Sequence, residues 1–152
     1  MFSPFLPYVG MVVTLVVCGL AFLRGGPPER VGAGLVLGVA LIGQAIDLIL
    51  PDAHEQVAHL CNDAFLAVGF LLVALRYGSL WLGGSMMLQA VQFSLHAFYL
   101  VATKPHDRFF AVVNNANTAG IIACILAGTL VAWRHHKKSI APALGASGAA
   151  AH

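Results

Sequence analysis

The residues that could do chemistry in this chain are ionisable and amide side chains that interrupt long apolar segments. An ionisable group inside a membrane costs roughly 3 kcal/mol or more to insert, so its presence there indicates a function or a dedicated partner. The side chains that we expect to form one polar cluster are Asp47, Asp63, Gln89, Gln92, His96, Asn114 and Asn117.

Three uses of this cluster remain open from the residues alone. Its members could pair with one another and tie helices together, which is a structural role. They could line a shallow pocket open to the periplasm that binds a small ligand, a quinone head group or a proton. They could also bind a metal or haem through His59 and His96, with Asp63 or His54, because imidazole and carboxylate suit transition metals. No HxxxH or HExxH spacing supports the third use.

No motif indicates an enzymatic activity, a particular cofactor or a nucleic-acid partner. The chain has no glycine-rich phosphate loop, no nucleophile elbow and no basic surface interleaved with aromatic residues. The cysteines Cys18, Cys61 and Cys124 are far apart and form no CxxC pair, as is typical of small packing residues rather than of a disulfide or zinc framework. We therefore expect a non-enzymatic protein.

The composition predicts a membrane protein. Hydrophobic residues make up 59% of the 152 residues and charged residues only 9%, against about 25% charged in soluble domains. A helix needs roughly 20 apolar residues to cross a bilayer. Five segments approach this length, and they are residues 5–23, 31–50, 57–75, 80–103 and 109–133. We predict an all-α polytopic transmembrane helix bundle over residues 1–138, followed by a disordered Ala/Gly-rich tail over 139–152.

The basic residues predict the orientation of this bundle. Cytoplasmic loops of membrane proteins carry an excess of Lys and Arg. If the N-terminus is outside, the cytoplasmic segments contain Arg24, Arg30, Arg76, Arg134, Lys137 and Lys138, and the outer segments contain Lys104 and Arg108. The six-to-two bias favours an N-out, C-in protein of a bacterial inner membrane, with the polar cluster near the periplasmic side.

The predicted helices position the cluster. Ser85, Gln89, Gln92 and His96 are spaced 4, 3 and 4 residues apart, so they form one stripe on the fourth helix. At about 1.5 Å per residue, the polar groups of four different helices reach a similar depth in the outer leaflet.

The fifth helix carries a ridge of small residues that should bring another helix close. Ala116, Gly120, Cys124 and Gly128 recur every four residues. In lipid, such ridges allow close backbone approach between helices. We therefore predict that this ridge faces protein.

A set of single residues at fixed spacings resembles a group of small, functionally uncharacterised bacterial integral membrane proteins. The set spans roughly residues 29–105 and consists of Glu29, Arg30, Asp63, Arg76, Trp81, Gln89 and His96. The chain departs from the group after Trp81, where Leu82 and Gly84 replace a Pro and a second Trp. The resemblance implies no activity, but it selects Asp63, Gln89 and His96, which the stripe and depth arguments also select.

The sequence thus favours a small inner-membrane protein that acts as a non-enzymatic accessory subunit or as a binding module with a periplasm-facing site. Its partners would be the lipid bilayer and other membrane subunits. The alternative is a small transporter, or a redox protein that binds a metal, haem or quinone in the polar cluster. A polar path through to the cytoplasmic half would favour transport.

Overall fold

The computed structural model describes residues 6–105 and 107–149. This part of the chain folds into five α-helices and contains no strand. The helices are α1 (Leu6–Arg24), α2 (Pro27–Ile49), α3 (Asp52–Tyr77), α4 (Leu80–Val101) and α5 (Arg108–Ala149). The predicted all-α bundle of five helices is therefore confirmed.

Three of the described helices are long and apolar enough to cross a membrane. The qualifying stretches are Pro27–Ile49, His54–Tyr77 and Arg108–Lys137, and α1 adds a shorter apolar helix, Val9–Arg24. Large apolar side chains cover the outside of the bundle, including Leu48 and Leu80, which are 86% and 97% exposed. An apolar exterior of this kind is suited to a lipid environment, in which helices satisfy their own backbone hydrogen bonds.

Helix ends coincide with the Pro, Gly and Asp residues that punctuate the sequence. Gly78 ends α3 with a φ of 62° and donates its N–H to the Ala74 carbonyl at 2.9 Å. That left-handed conformation favours glycine, which has no Cβ to clash. Asp107 begins α5 by accepting the N–H of Phe110 at 2.9 Å, the bond of a helix N-cap.

The helices pack in chain order around a closed ring. Each helix contacts the next one along the chain, and α1 also contacts α5, which closes the ring. Because successive helices run in opposite directions, the starts of α1, α3 and α5 share one end with the final turns of α2 and α4. We call this the Asp107 end, and the opposite end, where α4 begins, the Trp81 end.

An apolar core fills the ring toward the Trp81 end. Phe70, Leu82 and Ile125 are fully buried there, and the rings of Phe70 and Trp81 meet edge to face at 6.5 Å. The predicted small-residue ridge of α5 packs against α4. A Cβ added at Gly120 would lie 2.7 Å from Leu88, and one at Gly128 would collide with the Trp81 indole.

The last helix is longer than the sequence predicts. The Ala/Gly-rich composition predicts a disordered tail from Ser139, whereas α5 continues to Ala149. Several alanines follow Ser139, and alanine has the highest intrinsic helix propensity. Residues 150–152 lie outside the described part of the chain.

Candidate binding pocket

A cavity of about 490 Å³ lies inside the ring at the Asp107 end, and all five helices contribute to its walls. Asp47, on α2, is at the exposed rim. Asp63 and Gln89, on α3 and α4, are buried. Six of the seven predicted cluster residues line the cavity, namely Asp47, Asp63, Gln89, Gln92, His96 and Asn114. The depth argument therefore brought together residues that do share one cavity.

The seventh predicted residue, Asn117, is buried but does not line the cavity. Asn115 and Thr118 line it instead, together with Asn114. Residues 114 and 118 are four apart and so share one face of α5. Asn117 was chosen by depth alone, which does not specify the rotation of a helix about its axis.

A buried polar group lies at the centre of the pocket wall. His96 Nδ1 contacts Asp63 Oδ2, and this contact joins α4 to α3. Gln89 donates from Nε2 to the Asp63 carbonyl oxygen at 3.1 Å and to Asp63 Oδ1 at 3.3 Å. One carboxylate thus meets two residues of the α4 stripe, Gln89 and His96.

Aromatic contacts and a helix cap secure the α4–α5 side of this group. The His96 ring packs edge-on against Phe110 at 5.0 Å, and Phe110 packs likewise against Tyr99. The Tyr99 hydroxyl donates to Asp107 Oδ1 at 2.6 Å. The Phe110 N–H and the Tyr99 hydroxyl both stabilise the charged carboxylate, which holds the pKa of Asp107 below its ordinary value. The sequence alone does not pair Tyr99 with Asp107, although an Asp just before a helix is a cap signal.

A second polar group lies at the rim. His59 Nε2 is 2.7 Å from Asp47 Oδ1 and 3.8 Å from Glu55 Oε1. The imidazole of His59 also stacks on that of His96, with the ring centroids 6.2 Å apart and the planes 11° from parallel. The sequence pairs His59 with His96 as metal ligands, but the side chains whose ligand atoms cluster with His59 are Asp47 and Glu55. The helical period predicts that Glu55, one turn before His59, lies on the same face of α3.

The cavity contains more hydrogen-bond acceptors than the described protein groups satisfy. Three buried amide oxygens on its wall accept no hydrogen bond, and they are Gln89 Oε1, Gln92 Oε1 and Asn114 Oδ1. The orientation of the Gln89 amide is set by its donation to Asp63. Native interiors leave few buried polar atoms without a partner. A molecule that donates hydrogen bonds would complete this wall.

The charged residues of the lining favour the same kind of guest. Three carboxylates line the cavity, from Asp47, Glu55 and Asp63, and its described lining contains no Lys or Arg. His59 and His96 are the only lining groups there that can carry positive charge. The pocket therefore favours a positively charged guest over a negative one.

The pocket is closed toward the Trp81 end. Leu66 and Ile121 line it, and both belong to the apolar core that continues to Phe70 and Ile125. The buried hydroxyls in that half bond to their own helices, with Ser85 donating to the Trp81 carbonyl and Thr129 to that of Ile125. Among the described residues, no polar path connects the pocket to the Trp81 end.

The Trp81 end has a buried carboxylate of its own. Glu29 accepts the indole N–H of Trp81 at 2.8 Å and the backbone N–H of Gly26 at 3.0 Å. It lies in the first turn of α2, where the helix dipole favours a negative charge. Both oxygens of this carboxylate thus have donors, and it needs no guest.

The fold and the pocket define the class of the protein as an all-helical bundle with three described helices long and apolar enough to span a membrane and with a polar pocket at one end. No protein-family model, curated protein or solved structure matches the chain. The residues that carry the resemblance to small bacterial membrane proteins divide between the two ends. Glu29 meets Trp81 at one end, and Asp63 meets Gln89 and His96 at the other.

Proposed function

We propose that this protein is a non-enzymatic binding module of a bacterial inner membrane, and that its pocket binds a small organic cation with hydrogen-bond donors, such as a protonated amine. Of the two roles that the sequence favours, accessory subunit and binding module, the second makes use of the pocket. The observation that carries the proposal is the unsatisfied wall, in which the lining residue Gln89 is fully buried and its amide oxygen accepts no hydrogen bond from the described residues.

The guest class follows from the chemistry of that wall. An ammonium group donates up to three hydrogen bonds and accepts none, so it matches free amide oxygens. The carboxylates add charge complementarity, and charge-assisted hydrogen bonds are roughly twice as strong as neutral ones. A guest carrying a carboxylate would meet carboxylates of like charge, because the described lining has no Lys or Arg and only His59 and His96 to offset them.

Transport across the bundle is less well supported than binding. A transporter needs a route to the opposite face, and the apolar core of Phe70, Leu82 and Ile125 fills the ring there. The proposal therefore confines the guest to the Asp107 end. In the N-out orientation, this end faces the periplasm.

The orientation has its own test. The proposed N-out, C-in topology predicts that a reporter active only in the cytoplasm works when fused after Lys138 and fails when fused after Glu55. The basic residues that motivate this orientation lie in residues 24–30, at Arg76 and in residues 134–138. A periplasmic signal from the fusion after Lys138 would overturn the topology.

The binding proposal is tested by titrating the purified full-length protein in detergent, with a chelator present, while following thermal unfolding. The probes are a primary amine, a quaternary ammonium ion, an uncharged polyol and a carboxylate of similar size. The amine should raise the melting temperature the most. A ligand at a concentration of 100 times its Kd stabilises the folded protein by about 2.7 kcal/mol.

Variants locate the binding. Gln89→Met should abolish the stabilisation by amine, because it removes the free oxygen and keeps the side-chain volume close. Ser85→Ala is the matched control, since Ser85 is also fully buried on α4 but bonds only to its own helix. Equal stabilisation by all four probes, or by none, would indicate that the polar group is structural and would remove the proposal.

A further inference from the structure

We infer that Asp47, Glu55 and His59 bind a divalent transition-metal ion at the rim of the pocket. This inference goes beyond the proposed function, because the three ligands lie on α2 and α3 alone and a metal ion by itself is the probe. It also differs from the ligand pair that the sequence suggests, since Asp47 and Glu55 replace His96.

The geometry brings one ligand atom from each of the three side chains into a single group. An imidazole nitrogen and two carboxylate oxygens all lie within 4.8 Å of one another. Ligands bound to zinc at about 2.0–2.2 Å are separated by less than this span, so an ion fits between them after small side-chain rotations. The contact of 2.7 Å between His59 and Asp47 keeps two of the ligands together beforehand.

The positions of the ligands in the fold hold them on one side of the ion. Glu55 and His59 are four residues apart and share a face of α3, and Asp47 approaches from the last turns of α2. The His59 ring lies nearly parallel to the His96 ring, with the centroids 6.2 Å apart. Fixed imidazole orientation is a recurrent feature of metal sites, since outer-shell contacts set the ligand geometry.

The ligand set selects the kind of metal. One imidazole with two carboxylates suits zinc, cobalt, iron or nickel, whereas Ca²⁺ takes six to eight oxygen ligands and Mg²⁺ keeps several waters. Three protein ligands leave at least one coordination position for water.

The pocket wall beyond the triad also favours a positive species. Gln89 is fully buried, and its Oε1 accepts no hydrogen bond from any described residue. The same cavity that contains the triad contains this free acceptor and has no Lys or Arg in its described lining. A cation at the rim adds the charge that this part of the bundle lacks.

The experiment uses the full-length protein, with any histidine tag removed, after chelation and dialysis. Isothermal titration with Zn²⁺ and with Co²⁺ should show one tight site per chain, and Mg²⁺ and Ca²⁺ should bind at least about tenfold more weakly. The visible absorption spectrum of the Co²⁺ complex should be that of a Co²⁺ ion with nitrogen and oxygen ligands and a low coordination number. No binding, or equal affinity for Mg²⁺ and Zn²⁺, would overturn the inference.

Variants assign the ligands. His59→Gln and Glu55→Gln should each weaken Zn²⁺ binding at least about tenfold. Glu55→Gln leaves the Asp47–His59 contact in place, so it separates ligation from loss of fold. His54→Gln is the matched control, because His54 is exposed, lies on the same helix and is outside the triad. Full Zn²⁺ affinity in Glu55→Gln and His59→Gln, or an equal loss in His54→Gln, would overturn the site.

One further variant separates this inference from the proposed function. Gln89→Met should lose the amine response and keep Zn²⁺ binding. If Zn²⁺ fails to bind the wild-type protein while the amine still stabilises it, the metal site is wrong and the binding pocket stands. The opposite result would leave the metal site and remove the amine.

Discussion

Each end of the bundle buries a carboxylate, and the two carboxylates differ in how their hydrogen-bonding needs are met. Glu29 at the Trp81 end has a donor for each oxygen, from the Trp81 indole and the Gly26 backbone. Asp63 at the Asp107 end lies in the middle of α3, away from any helix terminus, and contacts His96 and Gln89. Gln89 in turn keeps a free oxygen.

This difference separates a structural acid from one in a receptive site. A carboxylate at a helix start is satisfied by backbone groups and dipole, so its surroundings can be apolar. A carboxylate in mid-helix must recruit side chains from neighbouring helices, and those amides bring additional acceptors with them. The unused acceptors at the Asp107 end are what make that end a candidate binding site.

The largest expected effect comes from the glycine ridge, which packs both ends. Gly128→Leu should destabilise by the upper part of the range of about 1–3 kcal/mol for overpacking, because it pushes the rigid indole of Trp81 away from Glu29. Gly120→Leu should cost less, since Leu88 can change rotamer. Unfolding in detergent measures both.

The control for the ridge is Gly83→Leu, at an exposed α4 position with nothing within 4 Å of an added Cβ. It should leave stability unchanged. If Gly128→Leu behaves like this control, the ridge faces lipid and α5 is rotated from the arrangement described above.

Trp81→Phe should have the next largest effect. It keeps an aromatic ring against Phe70 but removes the N–H that Glu29 accepts, and an unsatisfied buried acceptor costs about 1–3 kcal/mol. Trp133→Phe is the control, because the Trp133 ring packs against the cations of Arg24 and Lys137 instead. Equal melting temperatures for the two variants would mean that the Glu29 carboxylate does not depend on Trp81.

Coupling between Asp63 and His96 should be smaller. In a double-mutant cycle on thermal stability, Asp63→Asn and His96→Gln should depart from additivity by more than about 0.5 kcal/mol, since the two side chains are in contact. Asp63→Asn combined with Trp81→Phe should be additive, because these residues belong to opposite ends. Additive effects in the cycle of Asp63 and His96 would indicate that these two side chains do not interact. Coupling without any loss of ligand binding would make the pair structural.

The smallest effect concerns acid stability at the Asp107 end. The folded-state pKa of Asp107 is lowered by the Phe110 N–H and the Tyr99 hydroxyl. The contribution of the Asp107 carboxylate to the free energy of unfolding is therefore complete above the ordinary Asp pKa of about 3.9. It is lost as the pH falls through the lower folded-state pKa. Asp107→Asn should flatten the acid side of the stability curve in that window, and Tyr99→Phe should flatten it only in part. An unchanged slope in Asp107→Asn would show that the cap carries no proton linkage.

The helices and their breaks could be predicted because they depend on local chemistry. Segments of about 20 apolar residues, the Gly78 turn and the small-residue ridge all follow from composition and spacing. The α4 stripe also placed Gln89, Gln92 and His96 on one face, because the helical period fixes which residues share a face.

Partners between helices were predicted less well, because the sequence does not encode how neighbouring helices rotate against each other. The position of α3 beside α2 depends on packing such as Leu35 against Gly69, and this packing gives His59 the partner Asp47. The bond from Trp81 to Glu29 joins residues 52 positions apart. Only the resemblance brought those two residues together.

The closed ring has a consequence for how the protein is made. Synthesis delivers α1 first and α5 last, and the ring closes only when α5 packs against α1 and α4. Because α5 also supplies Asn114 and Phe110 to the pocket, no nascent chain that lacks this helix contains a complete site. The proposed guest would therefore stabilise only chains in which α5 has completed the ring.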